Sequence, residues 1–155
     1  MPTSTRVPHD PEYVTLVGTA VYVFAYYEWA LIHLIEQYKP GFVHRYSRGS
    51  PMTSGQVKDE LQRILADTET SYIKIDRAEL QACVDEFARL ITRRNALIHA
   101  HPITDGDGSQ ILSYQTNVGR PLPDMKWPSS EVSTAIAEFD RAACAANDLL
   151  HRHLA

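Results

Sequence analysis

With 155 residues, 44% of them hydrophobic and 22% charged, the chain has enough apolar material to bury one core, which excludes a disordered tail protein and makes residues 1–155 a single domain. A formal net charge of −4 excludes a molecule-wide positive field for polyanions, so any contact with nucleic acid must rest on a local basic patch. The two cysteines, Cys83 and Cys144, have neither CxxC spacing nor a disulfide-rich setting, and read as two buried thiols in a reducing cytoplasm, the expected location.

Residues Met1 to Asp10 contain no continuous apolar run and do not read as a signal peptide. Asp10 as N-cap, Pro11 at the first helical position and Glu12 behind it open a long first helix expected over 11–38, ending ahead of Pro40 and Gly41. Val17, Val21, Phe24, Leu31 and Ile35 follow the spacing of one buried face, while Leu16, Ala20, Val23, Tyr27 and Leu34 thicken that stripe nearly all round. Such a helix wants two partners, its own core and a second subunit. It is also the one stretch apolar enough to be weighed as a membrane span, but Glu28, His33 and four tyrosines make a buried helix the better reading, and no membrane is expected.

A loop with Pro40, Gly41, Gly49 and Pro51 follows. Thr53 and Gln56 then form a capping-box pattern ahead of Val57, Leu61, Ile64 and Leu65, which predicts a short second helix over 54–67. Asp76 and Glu79 introduce a third, over 76–100, with Leu80, Val84, Phe87, Leu90, Ile91 and Ile98 as its apolar series and Pro102 as its stop. Between Ile103 and Pro128 the pattern breaks: Asp105 to Gly108 form a turn cluster, and Ile111, Leu112 and Tyr114 a short β-like run, expected as a long loop or small β-hairpin. A fourth helix over 130–153 follows from Val132, Ile136, Phe139, Ala143 and Leu150. The fold class expected is all-α, with four helices.

Two charges sit where apolar residues belong. On the third helix, Arg94 falls in the series Leu80, Val84, Phe87, Ile91, Ile98; on the first, Glu28 falls in the series Val17, Val21, Phe24, Leu31, Ile35. Burying either alone is costly, so Glu28 and Arg94 are expected to meet or to line one polar cleft. On this pattern Arg94→Ala should destabilise the protein and Arg93→Ala should not. Around Arg94 lie Arg89, Arg93, Asn95, His99 and His101, a cationic patch in a mildly acidic chain. Asn95 and His99 are one turn apart, whereas five residues set Arg94 about 140° from His99 on a regular helix, so the three converge only across a cleft or around a helix end. Chemically the set suits phosphodiester cleavage: imidazole moves protons near neutral pH, guanidinium holds a phosphate, and an amide orients either.

The segment Arg94, Asn95, Ala96, Leu97, Ile98, His99 resembles the RNxxxH signature of the HEPN superfamily, placed at the end of a bundle helix, and the order of elements along the chain is similar too. The resemblance implies a four-helix bundle of HEPN type that homodimerises with its motif helices near the two-fold axis, so that Arg94 and His99 of both subunits build one cleft. It implies metal-independent RNA cleavage leaving a 2′,3′-cyclic phosphate, with Arg94 on the phosphate, His99 in proton transfer and Asn95 positioning one of them, in a toxin or defence setting with an antitoxin partner. Glu28 would orient Arg94, with Arg93 and His101 in support. HEPN toxins paired with a nucleotidyltransferase antitoxin usually carry a tyrosine two residues after the histidine; His101 stands there instead. Noncatalytic HEPN-like dimerisation or RNA- or ligand-binding modules form the alternative reading.

No cofactor or metal is expected. The pairs His99 and His101, and His151 and His153, diverge by about 200° on a helix and do not chelate together unless the backbone is extended. Asp105 to Gly108 lacks the later ligands of a calcium loop, and Lys39, His44, Arg45 and Arg48 make a basic loop that reads as solvated.

Overall fold

The computed structural model describes residues 5–49, 51–67 and 75–154. In chain order the elements are α1 (Pro11–Tyr38), α2 (Phe42–Arg48), α3 (Ser54–Ala66), α4 (Arg77–Ile98), β1 (His101–Thr104), β2 (Gln110–Tyr114), β3 (Met125–Trp127) and α5 (Ser129–Leu154). The expected all-α four-helix bundle is therefore corrected: the described residues form five helices and a three-stranded antiparallel sheet of order β1-β2-β3.

The caps explain where the helices start. Asp10 accepts hydrogen bonds from the backbone N–H groups of Glu12 (2.9 Å) and Tyr13 (3.4 Å), with Pro11 at the first position of α1. Thr53 and Gln56 exchange the two bonds of a full capping box, 3.2 and 2.8 Å, which fixes Ser54 as the first residue of α3. The additional helix α2 has no side-chain cap of its own. Gly41 enters it with φ 88°, and the Glu36 carboxylate reaches forward from α1 to accept from the N–H groups of Gly41 (2.8 Å) and Val43 (2.7 Å). Phe42 is buried, so α2 is anchored as well as capped.

α1 lies along α5, and α4 packs on both α3 and α5. At the centre, Phe24 meets Phe139 edge-on at 5.1 Å between ring centroids and Tyr27 meets Phe87 at 5.4 Å. The face of α1 that turns inward is Tyr13, Ala20, Phe24, Tyr27, Leu31 and Ile35; Val21, expected inside, is 42% exposed. With Val14, Tyr22, Tyr26 and Trp29 it makes an apolar outer face. α1 is long and apolar enough to cross a membrane by length and composition, and one third of its most apolar window is buried within the fold.

Of the expected loop or small hairpin, the hairpin is present as β1 and β2, and β3 extends it to a three-stranded sheet. Pro102 stops α4 and sits in β1, an edge strand where a missing N–H costs nothing. The Asp105 to Gly108 turn closes β1 on β2, with Gly108 at φ 89° and its N–H donating to Asp105 O at 2.9 Å. One hydroxyl ties the sheet to the helices: Tyr13 donates to Trp127 O (2.6 Å) and accepts from Leu112 N–H (2.9 Å). Of the two thiols expected to be buried, Cys144 is exposed and Cys83 half-buried, its pKa pushed up to about 11 by burial and then by nearby Glu86.

Candidate functional site

A cleft of about 560 Å³ opens between the N-terminus of α3 and the C-terminal end of α4, within the size range of small-ligand sites. Glu28, Ser54, Gly55, Arg94, Asn95 and His99 all line it. Arg94 projects from the face of α4 that meets α3. Arg94, Asn95 and His99 share this cleft although five residues separate Arg94 from His99; α4 ends at Ile98, and His99 is its C-cap, at φ −91° and ψ 5°, with its N–H on Asn95 O at 3.0 Å.

Glu28 and Arg94 meet through a third residue. The Arg94 guanidinium donates to Ser54 Oγ, Ser54 Oγ donates to Glu28 Oε2, and Tyr46 donates its hydroxyl to Glu28 Oε1 at 3.0 Å. The guanidinium also lies over the Phe24 ring, 4.8 Å from its centroid. Burial pulls the Arg94 pKa below the ordinary arginine value, with the charge of Glu28 pulling the other way. Tyr46 is pushed up to about 12, first by burial and then by the Glu28 charge it faces. Tyr46 therefore keeps its proton at neutral pH. Arg94 Nε is buried without a hydrogen-bond partner. The guanidinium is thus oriented on one side and has donor capacity left over.

No protein-family model, curated protein or solved structure matches the chain. The resemblance to HEPN domains rests on this chain's own residues.

Two of the residues expected in support lie elsewhere. Arg93 points away from the cleft, ion-paired with Glu131 (2.6 Å) and with Glu138, its guanidinium 5.3 Å from the Trp127 ring centroid. His101 opens β1, exposed, opposite Ser113, and is not among the residues lining the cleft. Arg89 pairs with Glu86 and Glu138.

The sequence reading missed Tyr46, Ser54 and the start of α3. Thr53, Ser54 and Gly55 bring the positive end of a 13-residue helix to the cleft wall, and the first N–H groups of any helix lack intrahelical partners. The capping box was visible; the serine and glycine inside it, Ser54 and Gly55, were the unread signal. A helix N-terminus beside an oriented guanidinium suits an anion of phosphate type. Among the described residues no group of three or more His, Cys, Asp or Glu converges as a metal site.

Proposed function

We propose that the cleft is an RNA-cleaving site of HEPN type. The supporting observation is that Arg94, Asn95 and His99 share one cleft with the N-terminus of α3. Arg94, steered by Ser54 and Glu28, holds the scissile phosphate together with the N–H groups opening α3. The ribose 2′-oxygen attacks phosphorus and loses its proton; the bond from phosphorus to the 5′-oxygen breaks, and that oxygen gains a proton. The products are a 2′,3′-cyclic phosphate and a 5′-hydroxyl. His99, exposed at the helix end, carries one of these two proton transfers. Asn95 orients the phosphate or the imidazole.

The reading includes a homodimer. Its support is the outer face of α1, where Val14, Val21, Tyr22, Tyr26 and Trp29 are all exposed. That face adjoins the site: Trp29 contacts Tyr46 at 6.1 Å between ring centroids, and Tyr46 holds Glu28. A second copy whose contact runs from Trp29 to the end of α4, with the motif helices near the two-fold axis, would bring a second His99 toward the same chemistry and supply the other proton transfer. The same face favours the alternative, a noncatalytic dimer that uses the cleft to bind an anionic ligand.

The deciding experiment incubates purified protein with RNA in EDTA. Wild type should leave cyclic phosphate ends and His99→Ala should not; equal rates would remove the catalytic reading and leave the binding one. Light scattering at micromolar concentration should give a dimer, and a Tyr22→Glu, Tyr26→Glu protein a monomer.

A further inference from the structure

Behind the cleft, on the other side of Asn95, is a second and smaller pocket of about 130 Å³. Asn95 lines both cavities. Thr92, Asn95 and Ala96, spaced three and four apart, form its α4 wall, facing Tyr114 of β2 and the segment that joins β2 to β3. That segment is a built loop. The Thr116 N–H donates to Asp124 Oδ1 at 2.7 Å across its base, Gly119 takes φ 84°, and the Arg120 N–H returns to Asn117 O at 3.0 Å, which brings Arg120 and Leu122 to the pocket. Arg120 is exposed and, among the described residues, its guanidinium has no ion-pair or hydrogen-bond partner.

The walls have the chemistry of a base-binding subsite. Ala96, Tyr114 and Leu122 offer apolar surface to a flat ring, the Asn95 amide offers one donor and one acceptor to its edge, and Arg120 stands at the mouth where a guanidinium can stack on a ring or meet a flanking phosphate. We propose that this pocket takes the base of the nucleotide whose phosphate lies on Arg94, so that Asn95 is the wall shared by the phosphate and base subsites and Arg120 and Leu122 set sequence preference. The proposal rests on the RNA reading of the cleft.

Its test separates binding from cleavage. His99→Ala protein is titrated, by amide chemical shifts, with the four ribonucleoside 5′-monophosphates and with ribose 5-phosphate, which has the phosphate and no base. At least one nucleotide should bind about tenfold more tightly than ribose 5-phosphate. That advantage should disappear when the pocket is filled by Leu122→Trp and fall severalfold in Arg120→Ala, both first checked for an unchanged melting temperature. Arg120→Ala, on the loop surface, keeps the test alive where Leu122→Trp does not fold. In parallel, cut sites on a randomised RNA should prefer one base at one position in wild type, and the preference should flatten in Arg120→Ala.

Equal binding of the nucleotides and ribose 5-phosphate overturns the base subsite whether or not RNA is cut. So does cleavage without preference at any position. Absence of all cleavage beside nucleotide binding that depends on Arg120 removes the nuclease reading and leaves the pocket standing.

Discussion

Arg93 and Arg94 are neighbours on one helix, and the fold treats them oppositely. Arg93 is closed in: two carboxylates pair with it, the Trp127 ring lies against its guanidinium, and its side chain is 16% exposed. Arg94 is held by a hydroxyl and an aromatic face, keeps a buried Nε without a partner, and opens on a cleft. A guanidinium whose charge is matched by carboxylates locks elements together, here α4 to α5 and β3. One that is oriented but left with donors to spare is ready for an anion from solution. The contrast turns on what surrounds each side chain rather than on how deeply it is buried.

The largest effect expected from this contrast is on activity. On the proposed mechanism Arg94→Ala removes the donor that would hold the phosphate and should lower RNA cleavage by about 100- to 1,000-fold in single-turnover assays. Arg93→Ala, compared per folded molecule, should stay within severalfold of wild type. Matching losses in the two proteins would erase the functional difference between them.

Stability should split the other way. Arg93→Ala leaves Glu131 without its cation and Glu138 with Arg89 alone, a loss of about 2 kcal/mol. At this chain length that is a fall in Tm of roughly 4 to 8 °C in a thermal melt. Arg94→Ala leaves Glu28 still bonded to Ser54 and Tyr46 and its cleft open to water, so it should cost about 1 kcal/mol. This reverses the order expected from the apolar stripe alone. The smaller of the activity effects belongs to the residues that aim Arg94. Tyr46→Phe removes one bond from the Glu28 network and should slow cleavage about tenfold, the worth of a single hydrogen bond to a charged group; Ser54→Ala removes two, the one from Arg94 and the one to Glu28, and should slow it further.

The reversal shows how far periodicity reaches. Glu28 and Arg94 were legible because each interrupts an apolar series, whereas the roles given to Asn95 and His99 came from the resemblance of their segment to the RNxxxH signature. That Arg93 is the enclosed arginine depends on Trp127, Glu131 and Glu138, more than thirty residues along the chain, and no local pattern encodes that cover. Val21 was misplaced for a related reason. α1 is apolar nearly all round, so its inward face is chosen by α5 and not by its own spacing. The sheet escaped because β3 is three residues long between Pro123 and Pro128, too short for alternation to register. α2 escaped because its cap comes from Glu36, on the preceding helix.

That borrowed cap connects the fold to the site and gives the smallest expected effect. The backbone N–H groups of Val43 and then Gly41 stabilise the Glu36 carboxylate and hold its pKa below the ordinary glutamate value of 4.5. A lowered folded-state pKa means that the stabilisation is complete above the unfolded value and lost as pH falls through the folded one. As pH falls below the ordinary glutamate range the protonated carboxyl should release the start of α2, and with it Tyr46, which α2 carries to Glu28. The amide resonances of Gly41 and Val43 should therefore titrate together with the Tyr46 ring signals, and in Glu36→Gln all three should be flat over that range. Titration of Gly41 and Val43 with Tyr46 unmoved would show that α2 loosens without disturbing the network, and would confine the device that aims Arg94 to Ser54.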